Sequence, residues 1–283
     1  MSDITLRLQS LHVYPVKSCA GTSPADAEVV ETGFDLDRAW MVVDEAGLFV
    51  SQRELPRMAL VQPSFKGGDM ILRAPGMLGL HVSLDRVEAP TQVQVWSDRL
   101  AAFDMGDLCA QWFSDFLGRK LRLARFDPDE RRLSNRRWTG ALEAENAFQD
   151  AFPLLVTSTA SLAEVNRRLA ATASEAVAMT RFRPNLVLDG LDAHGEDHLD
   201  EIAFDTEDGA VRLKLVKPCS RRSIPDVDPA TAATGHAVGD VLLQYRADPR
   251  LEGSLTFGMN AVIVEGIGRR LTIGAAGTGS YAF

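Results

Sequence analysis

Three cysteines in 283 residues, Cys19, Cys109 and Cys219, are too few and too odd in number for a disulfide framework, and they read as reduced thiols. No stretch approaches the run of about 18 apolar residues that a membrane-spanning helix needs. Residues 1–20 lack a basic segment followed by an apolar run, so no signal peptide is expected. Positive charge is also short: 30 Lys and Arg face 39 Asp and Glu, a net charge of −9, which argues against nonspecific nucleic-acid binding. There is no GxGxxG after a strand, no GxxxxGK[ST] loop and no GxSxG elbow, which removes the common nucleotide and hydrolase signatures. Internal repeats and low-complexity stretches are missing as well. A soluble cytoplasmic protein is the expectation, and a local basic pocket can still exist inside an acidic chain.

Apolar residues make up 46% and charged residues 24%, close to the globular average, and the length allows one large or two intimate domains. A core of that size needs no disulfide or metal staple. The first third reads as short strands: 4–16, 39–43, 58–62, 70–73 and 93–96, with DEAG at 44–47 as a turn. Residues 105–118 place Leu108, Trp112, Phe113, Phe116 and Leu117 at helical spacing, with Gly118 as C-cap. The polar segment 126–150, rich in arginine (Arg131, Arg132, Arg136, Arg137), reads as a long loop. Beyond it, 153–157, 185–190, 211–216, 260–266 and 270–274 read as strands. A helix over 160–170 can be capped by Ser158, Thr159 or Ser161, the last forming a capping box with Glu164. The ending AAGTGSYAF carries no strong element and is expected to be loose. Short strands with turn residues between them predict a mainly β chain, barrel or sandwich, with few helices.

Several segments carry chemistry. In VYPVKSCAG (13–21), Lys17 and Ser18 follow a strand-ending Pro15; ammonium and hydroxyl side by side suit a phosphate oxygen, although Lys-Ser pairs are common and spacing alone favours an ordinary solvated loop. In GFDLDRAWMVV, Arg38 precedes a strand, and Arg53 and Arg57 follow the next; each can grip phosphate in a bidentate way or pair with Asp35, Asp37 or Glu54. In RFRPNLVLDG, period-two geometry puts Arg181 and Arg183 on one side of an extended segment, either facing a ligand or as an edge-strand charge pair. Asn185 can offer an amide to a heteroaromatic ring edge. In LKLVKPCSRRSIPDVDPATAATG (213–235), Cys219 stands among Lys217, Arg221 and Arg222, a setting that favours the thiolate, the nucleophilic and metal-binding form, unless the thiol is an ordinary exposed one. His194 and His198, four apart, resemble part of a metal site, but Gly195 weakens a helix there and no third ligand is evident.

Taken in order, YPVKSCAG, GFDLDRAWMVVDEAGLFVSQRELPRMALV, FPLLVTSTASLAEVNRRL, FRPNLVLDG, VKPCSRRSIPDVDPATAATG and FGMNAVIVEG make the chain resemble the MOSC-domain family with its N-terminal β-barrel domain. The resemblance spans about residues 11–275 and includes the branch of the mitochondrial amidoxime-reducing component and its bacterial counterparts. It implies a MOSC β-barrel packed against an N-terminal β-barrel-like domain, with boundaries at 1–125 and 126–283. It further implies a molybdenum cofactor between them, and it carries a family-level association with pyridoxal phosphate binding. By position, Lys17, Ser18 and Arg38 would hold the cofactor's phosphate end and Arg183 its pterin side, with Arg53, Asn185 and Arg222 as further cofactor contacts. Cys219 would be the catalytic thiol and metal ligand. One departure matters. The family loop usually reads P-C-S-R-C, and its second cysteine is the molybdenum ligand; Arg222 stands there, and a guanidinium has no lone pair to give. The implied activity is reduction of N-hydroxylated small molecules, with a non-catalytic cofactor carrier or a sulfur carrier as alternatives. Some bacterial relatives carry a C-terminal iron–sulfur domain; with no such cysteine cluster here, electrons would come from separate electron-transfer proteins. A persulfide on Cys219 would come from a cysteine desulfurase.

Overall fold

The computed structural model describes residues 4–282. Seven strands close into a barrel: β1 Ile4–Leu11, β2 Leu154–Ser158, β3 Leu186–Asp189, β4 Leu199–Thr206, β5 Gly209–Ser220, β6 Ser254–Glu265 and β7 Ala276–Tyr281. Their order is β2-β3-β1-β7-β4-β5-β6, and β6 pairs back onto β2, so no long edge is left open. Four α-helices lie among the described residues: α1 Asp107–Leu117, α2 Arg136–Thr139, α3 Thr159–Ala171 and α4 Ala237–Leu243. Only β2 and β3 run parallel; such a pair needs a crossover, and α3 lies within it. Alternating side chains fill the barrel: Leu6 and Leu8 of β1, Ile202 and Phe204 of β4, and Val211 and Leu213 of β5 share one core.

A second core lies in the N-terminal lobe. There the strands Trp40–Val43, Arg122–Phe126, Asp98–Asp104 and Ala89–Val95 form one sheet, and Gln62–Lys66, Asp69–Arg73 and Leu80–Ser83 form another. Helix α1 packs Trp112, Phe113 and Phe116 into this core and ends at Gly118 in the left-handed conformation. The architecture is the mainly β barrel against an N-terminal barrel-like lobe that the sequence predicts. The two parts interlace: β1 belongs to the barrel although it opens the chain, and Asp26–Val30 pairs with Arg270–Thr272.

Four local expectations change. Residues 56–60 form a 3-10 turn started by Pro56, and the strand begins only at Gln62. The arginine-rich segment is folded: Arg132–Leu133 pairs with Glu145–Asn146 around α2, and buried Arg132 donates to the carbonyls of Ala147, Gln149 and Asp150. Helix α3 is capped by Ser158, which accepts from the Ser161 N–H; Glu164 turns instead to Arg167 and Arg168, so no capping box forms. Finally, the glycine-rich ending is a barrel strand paired on both sides, with β1 and with β4. A Cβ at Gly277 would lie 2.6 Å from the Phe204 ring, so the lack of side chains there is what lets β7 fit.

Candidate functional site

The chain passes between the two cores twice near its start. Val13 belongs to the barrel core and Val16 to the lobe core; Phe34 belongs to the first and Trp40 to the second. Tyr14 and Arg38 therefore sit where backbone leaves one core for the other, and Lys17 and Ser18 follow directly on the first crossing. The two crossings are tied together, with Arg38 N–H donating to the Tyr14 carbonyl and Lys17 N–H to that of Trp40. Arg183 and Asn185 arrive just before β3, Cys219 near the end of β5, and Trp96 on the turn between Ala89–Val95 and Asp98–Asp104. These segments enclose a cavity of about 390 Å³, the size of a small-molecule site.

All eight residues expected at a site line this cavity: Lys17, Ser18, Arg38, Arg53, Arg183, Asn185, Cys219 and Arg222. Their chemistry grades with depth. At the buried end, the Tyr14 ring is shared by two guanidiniums, with Arg38 Cζ at 4.4 Å and Arg183 Cζ at 4.2 Å from its centre. Asp37 binds Arg38 Nη1 through both oxygens, at 2.8 and 2.6 Å. Arg183 donates Nη1 to the Cys19 carbonyl at 2.6 Å, while its buried Nη2 has no partner among the described residues. Burial, reinforced by Arg38, pulls the Arg183 guanidinium down to about 10. Lys17 donates to the Phe148 carbonyl at 2.7 Å and to Asp150 at 2.6 Å; its burial lowers its pKa against the opposing pull of Asp150.

At the exposed end, Arg53 and Arg222 stand over Trp96, with Cζ at 5.0 and 5.9 Å from the ring centre. Six cations (Lys17, Arg38, Arg53, Arg183, Arg221 and Arg222) face one carboxylate, Asp150, on the wall. In a chain of net charge −9 this is a concentrated positive field that attracts anions.

Some roles differ from expectation. Asn185 is largely engaged by the fold: it donates one amide N–H to the His12 carbonyl, and its oxygen accepts from Leu155 N–H and Arg38. Arg181 and Arg183 do not share a side. A 3-10 turn over Met179–Phe182 and a left-handed Arg183 (φ 54°) send Arg181 to Asp228 and Arg183 to the cavity. Arg221 is committed to the carbonyls of Phe257 and Phe182, and Lys217 lies over Trp138 and Phe152. His194 is turned to Tyr245, and Glu196 binds Ser158 and Ser161, so this segment is knit into the fold. Sequence reasoning missed Tyr14, Trp96 and Asp150. A tyrosine three residues before Lys17 was a usable signal; Trp96 and Asp150 reach the cavity only through long-range folding.

A β-barrel interlaced with a second β lobe thus holds a cation-lined cavity at their junction. Residues 5–120 match the MOSC N-terminal beta barrel domain, and residues 143–274 match the MOSC domain. The chain is 32% identical to human mitochondrial amidoxime reducing component 2, covering 84% of this chain and 72% of the relative. It belongs to the MOSC family. It is also 34% identical to mouse mitochondrial amidoxime-reducing component 1, of which it spans 65%, a little under two thirds of that relative's length. Human molybdenum cofactor sulfurase is 29% identical over 88% of this chain and 29% of its own length. No helix among the described residues is long and apolar enough to cross a membrane.

Proposed function

We propose that the protein binds a molybdenum cofactor in this cavity and reduces N-hydroxylated small molecules. The observation that carries the reading is the convergence of Lys17, Ser18, Arg38 and Arg183 with Cys219 on one cavity wall, from distant parts of the chain. The residues fit such a group. The unpartnered buried Nη2 of Arg183 is a donor that a phosphate oxygen would satisfy, and buried donors without partners are rare. Lys17, Ser18, Arg38 and Arg183 would hold the phosphate and pterin portions. Cys219, the one thiol on the wall, is the candidate metal ligand. Arg222 lies at the exposed end and cannot ligate a metal.

When bound, the cofactor supplies oxygen-atom transfer, in which the substrate N–O bond breaks and two electrons and two protons release the oxygen as water. Electrons would come from separate electron-transfer proteins. The chain's own part is to fix the anionic end with buried cations, to keep Arg38 in place through Asp37, and to leave the Cys219 side open to solvent for substrate.

The test is metal and pterin analysis of protein made in a cofactor-competent host, followed by reduction of benzamidoxime with an artificial electron donor. Near-stoichiometric molybdenum and pterin with turnover support the reading; protein free of both under those conditions refutes it. A second reading, a cofactor or sulfur carrier without turnover, is favoured by Arg222. If natural protein loads the cofactor without turnover and Arg222→Cys gains reductase activity, the carrier reading replaces the enzyme. One added sulfur on Cys219 after incubation with a cysteine desulfurase would identify sulfur carriage.

A further inference from the structure

The exposed end of the cavity is built for something the buried end does not explain. Arg53 arrives from the segment after Phe49, and Arg222 from the loop after β5. Both guanidiniums come to the ring of Trp96. Among the described residues neither has an ion pair or a hydrogen bond. Most arginines of this chain do: Arg119, Arg122, Arg131, Arg132, Arg136 and Arg167, for instance, all pair with carboxylates. One carboxylate, Asp150, lines the same cavity and interacts electrostatically with Arg53, but it is already bound by Lys17 and by Trp96 Nε1 at 3.3 Å.

Trp96 itself is held. Its backbone is left-handed (φ 55°), a conformation rare for a bulky residue, and its ring packs edge-on against Phe49 at 4.9 Å. An aromatic plate carrying two guanidiniums that make no ion pair or side-chain hydrogen bond among the described residues is a preorganised receptor for an oxyanion, since guanidinium forks match carboxylate and phosphate geometry. This pair is separate from the Arg38–Arg183 pair on Tyr14, so a ligand phosphate held at the buried end leaves it free.

We propose that Arg53 and Arg222 form an oxyanion clamp on Trp96, and that the substrates admitted past it are N-hydroxylated compounds that also carry a carboxylate. The clamp selects the substrate's remote charged group while the N–O group points inward past Cys219. This inference rests on the reductase reading, and its test separates the two.

Cofactor-loaded protein is assayed with benzamidoxime and with 4-carboxybenzamidoxime. The expected ratio of kcat/KM, carboxylated over neutral, is about tenfold or more, and it shrinks as salt rises, because partly exposed charges are screened. Arg222→Ala and Arg53→Ala should each lower that ratio by about tenfold, and Arg222→Lys should restore part of it by returning charge without the planar fork. A ratio near one in the natural protein, or a ratio that both alanine variants leave in place, overturns the clamp. If neither compound is reduced, the reductase reading fails, and calorimetric binding of the same two compounds still decides the clamp. Tighter binding of the carboxylated compound that is lost in Arg222→Ala upholds it, and equal affinities overturn it. Circular dichroism and melting temperature of each variant establish that the fold is intact.

Discussion

Replacing Asp37 by alanine tests whether the cation end of the cavity is held by a buried ion pair. The Asp37 side chain is fully buried and that of Arg38 is 12% exposed, and their closest contact is 2.6 Å. Asp37 also accepts the Tyr14 N–H at 2.8 Å. Asp37→Ala thus leaves a guanidinium and an amide without their acceptor in a low-dielectric place. Removing one partner of a buried pair costs about 3–5 kcal/mol. Against a total stability of about 5–15 kcal/mol, that is about a fifth or more of the margin. Using about 2–4 °C per kcal/mol for a chain of this size class, the melting temperature should fall by roughly 10 °C. Asp37→Asn keeps an acceptor for Tyr14 but not the charge and should fall between. The assay is calorimetric or optical melting of the three proteins in low-phosphate buffer, with pterin content measured in parallel, since a released Arg38 retains the cofactor poorly. If Asp37→Ala melts within about 2 °C of the natural protein, Arg38 is not held by this pair and the reasoning about the buried end is wrong.

Burial, helped by Arg246, depresses His194 from 6.5 to about 4. A histidine kept neutral by the fold contributes stability that is fully present above pH 6.5 and is lost as pH falls toward 4. His194→Asn, which tolerates the left-handed backbone at φ 61°, should flatten the decline of melting temperature across that window; an unchanged slope sinks the assignment. Gly258 sits at φ +76° with an added Cβ only 2.6 Å from the Val156 carbonyl oxygen at the barrel closure, so Gly258→Ala should destabilise by about 3 kcal/mol, read by urea unfolding. Of the three cysteines, Cys19 and Cys109 are buried, with burial pushing their thiols up to about 12 and about 11. A dithiobis-nitrobenzoate reagent should therefore titrate Cys219 alone in folded protein and all three after denaturation. Cofactor-free protein should melt at higher temperature with added inorganic phosphate, and Arg183→Met should abolish that rise; an equal rise in the variant would show that phosphate binds elsewhere.

The fold was readable wherever side chains alternate or repeat at helical spacing. Leu6 and Leu8, Val211 and Leu213, and the Trp112–Phe113–Phe116 face each announced their elements. It was unreadable where small residues make the element. Strand β7 is held by pairing on both sides, and Gly277 fits only because Phe204 fills the space its side chain would take, a relation between positions 73 residues apart in the chain. Residues 126–150 looked like a loop because the arginine that organises them, Arg132, is buried by carbonyls of its own segment, and no composition rule anticipates that. At the site, residue identity was legible but role was not. Asn185 was recognisable as polar and placed at a strand start, yet whether its amide faces a ligand or the His12 carbonyl depends on the crossing of another segment. The sharing of Tyr14 by Arg38 and Arg183 likewise exists only once residues 145 positions apart meet.

The conformational strain in this chain is concentrated where the chemistry is expected. Of the nine non-glycine residues with positive φ among those described, four (Ser18, Arg38, Trp96 and Arg183) line the cavity. Left-handed backbone at such residues costs on the order of 1 kcal/mol each, and it persists only where surrounding structure over-determines it. For Arg38 the determinants are the two cores on either side of its crossing, for Trp96 the hairpin it turns, and for Arg183 the 3-10 turn that precedes it. Two buried guanidiniums share one ring but only one buried carboxylate, Asp37, and that one is bound to Arg38. Arg183 is left with a buried donor that has no partner among the described residues, which lowers stability unless an acceptor reaches it. That is why the cavity is better understood as a site shaped for a charged ligand than as a gap left by imperfect packing: a packing defect would be apolar, unstrained and free of buried cations.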